Sequence, residues 1–520
     1  MEIRTEILII GGGATGTGIA RDLSLRGVEC VLVEKGDLGS GASGRNQGLL
    51  HSGGRYAVSD PHTARECIAE NRALRTIAPH VIEETGGLFV SLPEDGLGFQ
   101  NSFIEACGEV GIEVSLLTPE QALAREPNLT PSLLGAVEVP DGAIDPFGLV
   151  LANARDAQDR GARLYPRTEV TSVNLNKGRI ETVIAKDGVS GEQHSIIPSY
   201  VINATGAWAN HFLRLVGVRI GLALSKGSML ITNRRLTRMV INRCRPASDG
   251  DIIVPNDTVS ILGTTSVASH EAEDWEVTSA EVSRIVAETS KMVPEIEEGR
   301  LIRAYAGVRP LFRFGTETGQ ESDRGISRGF SLIDHGERNQ VGNLITVTGG
   351  KLVTYRLMAE KTADLVCRKM GVRTPCTTHL KILPDLEKEP RWSRRSPRKD
   401  DRERFTQGAV ICDCEAVRRH QIEKQLGDKK VRILTDVLHR TRLAKGTCQG
   451  GFCAYRLMAM LDDKGVVEGD SAAMLREFLE ERWKGVRPVL WGTAVREAEL
   501  VETIYKDVFN LRAPEVKIGV

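Results

Sequence analysis

Apolar residues near the start of the chain come in short continuous runs. Glu6 to Ile10, a glycine turn, a helical stretch from about Thr15 to Arg26 and the run Cys30 to Glu34 predict strand, helix, strand. Uninterrupted apolar strands are buried on both faces, so this is a βαβ unit of a parallel sheet. The next stretch, Gly36 to Tyr56, is rich in Gly, Ser and Asn and too long for an ordinary connection, which marks it as a functional loop. Helical periodicity returns from about Pro61 to Thr76 and again from Phe147 to Arg160, where Asp145-Pro146 supplies a cap and Gly161 a stop. Strands are predicted at Thr168 to Val173, at 201 to 206, at Met229 to Thr232, Asp251 to Pro255 and Val259 to Leu262, and a helix near 278 to 292. A last strand, Leu344 to Thr348, runs into Gly349-Gly350-Lys351 and a long helix ending at Met370.

From Leu386 to Arg404 the pattern vanishes into charge and proline, which reads as a linker. It separates residues 1–385 from a C-terminal module. Beyond that module Val501, Ile504, Val508 and Leu511 repeat at helical spacing, after Trp483 and Trp491. The stripe either packs on its own core or faces a partner protein.

At 520 residues the chain exceeds a single core, so two to four domains are expected. A net charge of -1 gives no general reason to expect nucleic acid or anionic lipid. No apolar run approaches the length of a membrane span, and the start lacks the basic and apolar regions of a signal peptide. A cytoplasmic protein is the expectation, with any membrane contact peripheral. In that reducing compartment ten cysteines do not form a disulfide framework. Six are scattered (Cys30, Cys67, Cys107, Cys244, Cys367, Cys376) and read as buried or solvated thiols, whereas Cys412, Cys414, Cys448 and Cys453 are clustered.

Gly11-x-Gly13-x-x-Gly16 follows a strand and opens a helix, the context in which this spacing binds a dinucleotide. The first glycine permits the turn, the second lets backbone approach a pyrophosphate, and the third lets helix and strand pack closely. Ala14 and Thr15 sit at the helix N-terminus, whose unpaired amides attract phosphate. Glu34, 18 residues after Gly16, is placed to accept both ribose hydroxyls. The motif alone does not separate FAD from NAD.

The loop GSGASGRNQGLLHSGGRY (residues 39 to 56) resembles the FAD-binding loop of the glycerol-3-phosphate dehydrogenase and D-amino-acid oxidase superfamily. VINATGAWAN (201 to 210) and VTGGKLVTYR (347 to 356) match the same superfamily. The resemblance implies FAD contacts from Ser43, Arg45, Asn46, Gly48, Val170, Ala204, Thr205, Gly206, Gly349, Gly350, Lys351, Leu352 and Thr354. It also implies a substrate phosphate gathered by Arg55, Arg309, Arg328 and Lys351, since a buried dianion needs charge-assisted hydrogen bonds. His51 is the nearest candidate base for an alcohol proton, and equally a structural histidine of the loop. Many aerobic relatives carry a histidine where this chain has Met229, after Lys226-Gly227-Ser228, and methionine serves as neither acid nor base.

Four thiolates suit iron-sulfur or zinc, with four unliganded thiols as the alternative, and one residue between Cys412 and Cys414 is short for zinc. ICDCEAV and GTCQGGFCAYR resemble the bacterioferritin-associated-ferredoxin type of 2Fe-2S domain, although four residues between Cys448 and Cys453 is a wider spacing. Gly446, Gly450 and Gly451 would let amides approach the sulfurs.

The whole order, closing on RPVLWGTAVREAE, resembles the family of A subunits of bacterial anaerobic glycerol-3-phosphate dehydrogenases. What that implies is an α/β and α+β chain: a Rossmann-like FAD-binding domain, an inserted, mainly antiparallel substrate domain and a small helical cysteine-cluster domain. The FAD subdomain would take about 1–75, 145–215 and 330–385, and the substrate subdomain about 76–144 and 216–329. A charged linker (386–407), a ferredoxin-like domain (408–465) and a helical extension (466–520) complete it. The implied reaction oxidises glycerol 3-phosphate to dihydroxyacetone phosphate. Electrons would pass through FAD and a 2Fe-2S cluster to quinone, by way of partner subunits at the cytoplasmic face of the inner membrane. The alternatives are a 2-hydroxy acid substrate such as L-2-hydroxyglutarate, or a redox adaptor with no substrate of its own.

Overall fold

The computed structural model describes residues 1–312, 329–386, 408–427, 431, 433–466 and 470–511. Arg328 and nearly all of the charged linker lie outside the described residues.

The βαβ unit forms as its pattern predicts: β1 (Glu2–Ile10), α1 (Ala14–Leu25) and β2 (Cys30–Val33). β1 is central in an eight-stranded sheet, parallel to β2 on one side and to Gln193–Asn203 on the other. Leu344–Gly349 adds a further parallel strand beside Gln193–Asn203, and Arg163–Tyr165 extends the far edge beyond β2. Ile7, Leu8 and Ile9 are fully buried, which is why these strands carry no polar alternation. Helices α1, Pro146–Asp159 and Tyr355–Met370 share one core with this sheet. Gly18 lets Tyr355 and Ala359 approach α1, since a Cβ there would stand 3.0 Å from the Tyr355 ring.

A second, nine-stranded sheet is antiparallel except where Val240–Arg243 runs parallel to Gly87–Ser91. Its longest pair, Leu222–Thr232 with Leu301–Phe312, carries much of the site described below. The helix Ser279–Met292 covers this sheet, started by a reciprocal capping pair between Thr278 and Glu281.

The C-terminal module is a two-stranded ribbon (Val410–Cys412 with Val417–Arg418) followed by short helices around their own core. Val501, Ile504 and Leu511 pack against that core, but Val508 is 70% exposed. The stripe breaks because Ile504–Val508 is a π-helical turn, whose wider step brings Tyr505 inward instead. Among the described residues no helix is long and apolar enough to cross a membrane.

Candidate functional site

One cavity of about 2000 Å³ is lined by residues of both sheets and of the C-terminal module. Its first wall is the glycine turn. Gly11 has φ +109°, and a Cβ on it would lie 2.6 Å from the Ala204 carbonyl oxygen, so only glycine fits. A Cβ on Gly16 would meet the Gly11 oxygen at 1.9 Å, and one on Gly13 would meet the Ser43 hydroxyl at 2.9 Å. The start of α1 and the facing 39–56 loop both line the cavity.

That loop is held by its own polar residues. Ala14 N donates to Ser43 Oγ at 2.9 Å, Asn46 Nδ2 donates to the Ser43 carbonyl at 2.6 Å, and Gly48 N donates to Asn46 Oδ1 at 2.8 Å. Arg45 packs its guanidinium 3.8 Å from the centre of the Trp275 ring. Glu34 directly follows β2, with Oε2 accepting from Gly12 N at 2.6 Å and Oε1 from Gly36 N at 2.7 Å. Burial raises its pKa, against the lowering effect of those two amides. Thr15, Val170, Ala204, Thr205, Gly206, Gly349, Gly350 and Leu352 also line the cavity. Gly16 and Thr354 act from behind it: Thr354 Oγ1 accepts from Lys351 N at 3.1 Å and closes the Gly349-Gly350-Lys351 turn. A glycine cradle, a helix N-terminus and a ribose-side carboxylate in one elongated cavity fit a dinucleotide.

The cationic residues enter the same cavity from three segments. Arg309 lies against Gly227, where a Cβ would stand 2.1 Å from its Nη2, and it donates to Thr264 Oγ1 at 2.8 Å. Arg55 Nη2 donates to Asp251 Oδ2 at 3.3 Å, and Asp251 is fully buried. Lys351 Nζ stands 4.5 Å over the Tyr56 ring. Three of the four basic residues read from the sequence thus line one cavity, and the fourth, Arg328, lies outside the described residues.

His51 is buried beside them. Its Nδ1 accepts from Gly53 N at 2.9 Å and stands 3.9 Å from Asp141 Oδ1, while Nε2 is buried with no hydrogen-bond partner among the described residues. Burial pushes its pKa down to about 3, helped by the nearby charges of Arg55 and Lys351. The ring is therefore neutral at physiological pH. Met229 is buried and pairs with Gly263 across the second sheet, and it is not among the cavity-lining residues. Lys226 points elsewhere, donating to the Glu276 carbonyl at 2.9 Å.

Asp141, Asn242 and Asp251, which the sequence did not single out as site residues, organise this site. Asp141 accepts from Ser52 N at 2.7 Å and from Asn242 Nδ2 at 3.1 Å, and so fixes the backbone next to His51. Asp251 joins Arg55 to Arg245. The only signal for Asp141 was a Pro-Asp-Gly sequence, which reads as a turn.

The four clustered cysteines come together. Cys414 Sγ lies 3.7 Å from Cys412 Sγ and 3.7 Å from Cys448 Sγ, and Cys453 is a hydrogen-bond partner of both Cys412 and Cys448. Donation by Cys414 and Cys453 holds the Cys412 and Cys448 thiols well below the usual range, and the donors are raised for the same reason. Four soft sulfur ligands are thus gathered into a cage at one place in the module. A Cβ on Gly446 would stand 2.7 Å from Cys414 Sγ, so that glycine lets backbone approach the sulfur.

The cage is docked on the cavity. His439 stacks on Phe147 with ring centres 4.4 Å apart, and its Nδ1 is 2.7 Å from Asp37 Oδ2. Arg440 Nη1 donates to the same oxygen at 3.0 Å. Lys445, next to Gly446, stands 4.7 Å over the Phe147 ring and lines the cavity. Phe147 in turn fills the space beside Gly44 of the 39–56 loop.

The sequence matches the FAD dependent oxidoreductase family over residues 6–365. It is 43% identical to the A subunit of the anaerobic glycerol-3-phosphate dehydrogenase of Escherichia coli (strain K12), over 98% of this chain and 97% of that protein. It is 41% identical to the protein of that name in Haemophilus influenzae, over 98% of this chain and 94% of that one. The fold is similar to that of the glycerol-3-phosphate dehydrogenase from Bacillus halodurans complexed with FAD, with a TM-score of 0.65 at 23% identity over 94% of this chain and 96% of that one. Glycine oxidase from Geobacillus kaustophilus shares the fold over 74% of this chain and 99% of its own, with a TM-score of 0.58 at 24% identity.

Proposed function

Since this chain belongs to the FAD dependent oxidoreductase family, and within it to the A subunits of anaerobic glycerol-3-phosphate dehydrogenases, we propose that it oxidises sn-glycerol 3-phosphate to dihydroxyacetone phosphate. The observation that carries this reading is the convergence of Arg55, Arg309 and Lys351 on one cavity with the dinucleotide cradle.

Bound FAD supplies the hydride acceptor and the conversion from two-electron to one-electron transfer. The cradle that would hold it runs from the Gly11 turn and Glu34 through Ser43, Asn46 and Gly48 to Gly349 and Gly350. The chain's own part is binding, orientation and charge. Arg309, spread against Gly227, presents guanidinium nitrogens to a phosphate, and Asp251 fixes Arg55 for the same task. Lys351 adds a positive charge to the same cavity, which would stabilise negative charge on the substrate oxygen as its proton passes to solvent water. His51, neutral and accepting from Gly53 at Nδ1, carries its proton on Nε2 and orients the substrate oxygen by donating to it.

A cluster held by Cys412, Cys414, Cys448 and Cys453 would supply one-electron transfer from the flavin toward partner subunits and quinone. What supports this is that the relatives are named as one subunit of their enzyme, together with the docking of the cage on the cavity through Phe147, His439 and Lys445. In the same reading the protein sits peripherally at the cytoplasmic face of the inner membrane, held by those partner subunits. The cage would hold 2Fe-2S. A second reading has its own observation: sulfur separations of 3.7 Å equal the edge of a tetrahedron around one ion with bonds of about 2.3 Å, as for zinc. Iron and zinc analysis of anaerobically purified protein separates the two.

The test of the reaction is anaerobic mixing of FAD-loaded enzyme with glycerol 3-phosphate, following the oxidised-flavin absorbance. Bleaching is expected with glycerol 3-phosphate and not with L-2-hydroxyglutarate. No bleaching with glycerol 3-phosphate overturns the reading, and bleaching with the 2-hydroxy acid alone replaces it.

A further inference from the structure

Gln47 stands between Asn46 and Gly48 in the 39–56 loop and behaves unlike its neighbour. Asn46 uses its side chain to hold the loop, whereas Gln47 Nε2 is buried with no hydrogen-bond partner among the described residues. The residue is 9% exposed and lines the cavity. Leu49 and His51 line it too, while Leu50 between them is fully buried. A polar group buried without a partner destabilises the fold, and such groups recur where a ligand completes them.

The loop runs along the strand that carries Arg309. Tyr305 Oη donates to the Asn46 carbonyl at 2.8 Å, and a Cβ on Gly307 would lie 2.2 Å from the Arg45 carbonyl oxygen. Gln47 comes next, and a Cβ on Gly263 would stand 3.5 Å from its Nε2. The residue after Gly263 is Thr264, whose Oγ1 accepts from Arg309 Nη2 at 2.8 Å. Met229 Cγ would stand 3.1 Å from that same Cβ, so the side chain on the other flank offers no strong acceptor. The amide is therefore seated against the second sheet, beside the residue that holds Arg309. The glycine cradle belongs to the first sheet.

The proposed substrate has three polar parts. Arg55 and Arg309 are assigned to its phosphate and His51 Nε2 to its C2 oxygen, which leaves the C1 hydroxyl. The loop likewise holds two buried side-chain nitrogens without partners, His51 Nε2 and Gln47 Nε2. A hydroxyl both donates and accepts, so it can pair with either atom of an amide. An ionised carboxylate only accepts.

We propose that Gln47 binds the C1 hydroxyl of the substrate and is a specificity-determining residue, selecting a phosphate ester with a free terminal hydroxyl. The inference rests on the proposed oxidation of glycerol 3-phosphate and deepens it, by naming the group that reads the end of the molecule remote from the phosphate.

The test reduces the flavin of FAD-loaded enzyme anaerobically with sn-glycerol 3-phosphate and with propane-1,2-diol 1-phosphate of matching configuration, which lacks only the C1 hydroxyl. Wild type is expected to favour glycerol 3-phosphate by roughly tenfold or more in kcat/KM. Gln47→Met, of similar length but without the amide, should lose most of that preference by slowing with glycerol 3-phosphate alone, while FAD content and the visible flavin spectrum stay constant. Calorimetric binding of dihydroxyacetone phosphate, which keeps the C1 hydroxyl and needs no oxidation, should weaken in the same variant by a similar factor. Gln47→Asn, which keeps the amide one methylene back, should retain part of the preference and provides the reading if the methionine variant fails to fold. A preference unchanged in both variants, or absent from wild type, overturns the inference and leaves the reaction standing. Equal slowing with both substrates beside a shifted flavin spectrum assigns the amide to the flavin and overturns it as well. No reduction of wild type by glycerol 3-phosphate overturns the reaction, and this inference with it.

Discussion

The Gly53 amide donates to His51 Nδ1 at 2.9 Å, and this one bond decides where the neutral imidazole carries its proton. An acceptor at Nδ1 requires the hydrogen at Nε2, the buried nitrogen that has no partner among the described residues. His51 is thereby set up as a donor, and its use as a base would require the Gly53 bond to break.

The same residue predicts an acid sensitivity. Its pKa is about 3 in the fold, against about 6.5 for an unperturbed imidazole, so below pH 6.5 the unfolded chain takes up a proton that the folded protein excludes. Stability attributable to His51 is unaffected above pH 6.5 and falls by about 1.4 kcal/mol per pH unit below it, down to the folded pKa. Between pH 6.5 and 5.0 that amounts to about 2 kcal/mol. Urea unfolding of wild type and His51→Gln at both values should show the wild type losing that much more than the variant. Equal losses would show that the ring is protonated in the fold.

Asp251→Asn should weaken substrate binding without touching substrate. Asp251 is fully buried and joins Arg55 to Arg245, so the neutral amide leaves two guanidiniums undercompensated. Breaking a buried pair from one side costs about 3 kcal/mol or more of stability. With Arg55 no longer held, KM for glycerol 3-phosphate should rise roughly tenfold or more while FAD content stays constant. Steady-state kinetics beside a flavin absorbance ratio measure both, and an unchanged KM would remove Arg55 from the phosphate site.

Gly227→Ala tests the other arm of the clamp. The backbone there is an ordinary strand, so alanine adds no conformational strain, but its Cβ would lie 2.1 Å from Arg309 Nη2. The guanidinium must move, and a displacement of about 1 Å at a positioned group is worth up to roughly 100-fold in kcat/KM. Activity should fall while Tm changes little. A full-rate variant would mean that Arg309 does not contact substrate from this position.

Much of this was legible in the sequence. Gly11, Gly13 and Gly16 were readable because their spacing and flanking periodicity are local, and so were β1, α1, β2 and the helix from Pro61. Fold class, FAD family and the cysteine grouping followed from motifs a few residues long. Asp141 and Asp251 were not readable, because a buried acid in a strand shows no period and its partner lies far along the chain: 89 residues separate Asp141 from Ser52, and 196 separate Asp251 from Arg55. The seat of the C-terminal module was hidden for the same reason, since His439 meets Asp37 across 402 residues. Val508 misled because periodicity assumes an α-helix and the chain takes a π turn there.

That seat gives a further prediction. Burial acts to raise the Asp37 pKa, but the hydrogen bond from His439 and the charge of Arg440 outweigh it and hold the carboxylate below the usual range. Its contribution to docking is therefore present above about pH 4 and lost as pH falls further. Asp37→Asn should speed amide hydrogen exchange in the helix Leu434–Arg440, which carries His439 and Arg440. Flavin reduction by glycerol 3-phosphate should continue at the wild-type rate while electron delivery to a protein or quinone acceptor slows. Equal slowing of both steps would mean that Asp37 serves the flavin site rather than the docked module.

Cys414→Ser separates the two ends of the enzyme most sharply. Cys414 links Cys412 and Cys448, at 3.7 Å from each, so its loss opens the ring of four sulfurs. A harder oxygen ligand binds iron or zinc more weakly than thiolate, and metal binding is linked to folding of the domain that holds it. Metal content per chain should therefore drop, and the C-terminal module should melt earlier than the rest. The dinucleotide cradle is built from the eight-stranded sheet and the 39–56 loop, which do not include the cysteines, so anaerobic bleaching of the flavin by glycerol 3-phosphate should persist. Transfer onward from the reduced flavin should then fail if the cage is an electron carrier, and persist if it is a zinc staple whose module still docks. Loss of flavin bleaching in this variant would contradict the division of labour proposed for the chain, since it would make the cysteines part of the oxidation itself.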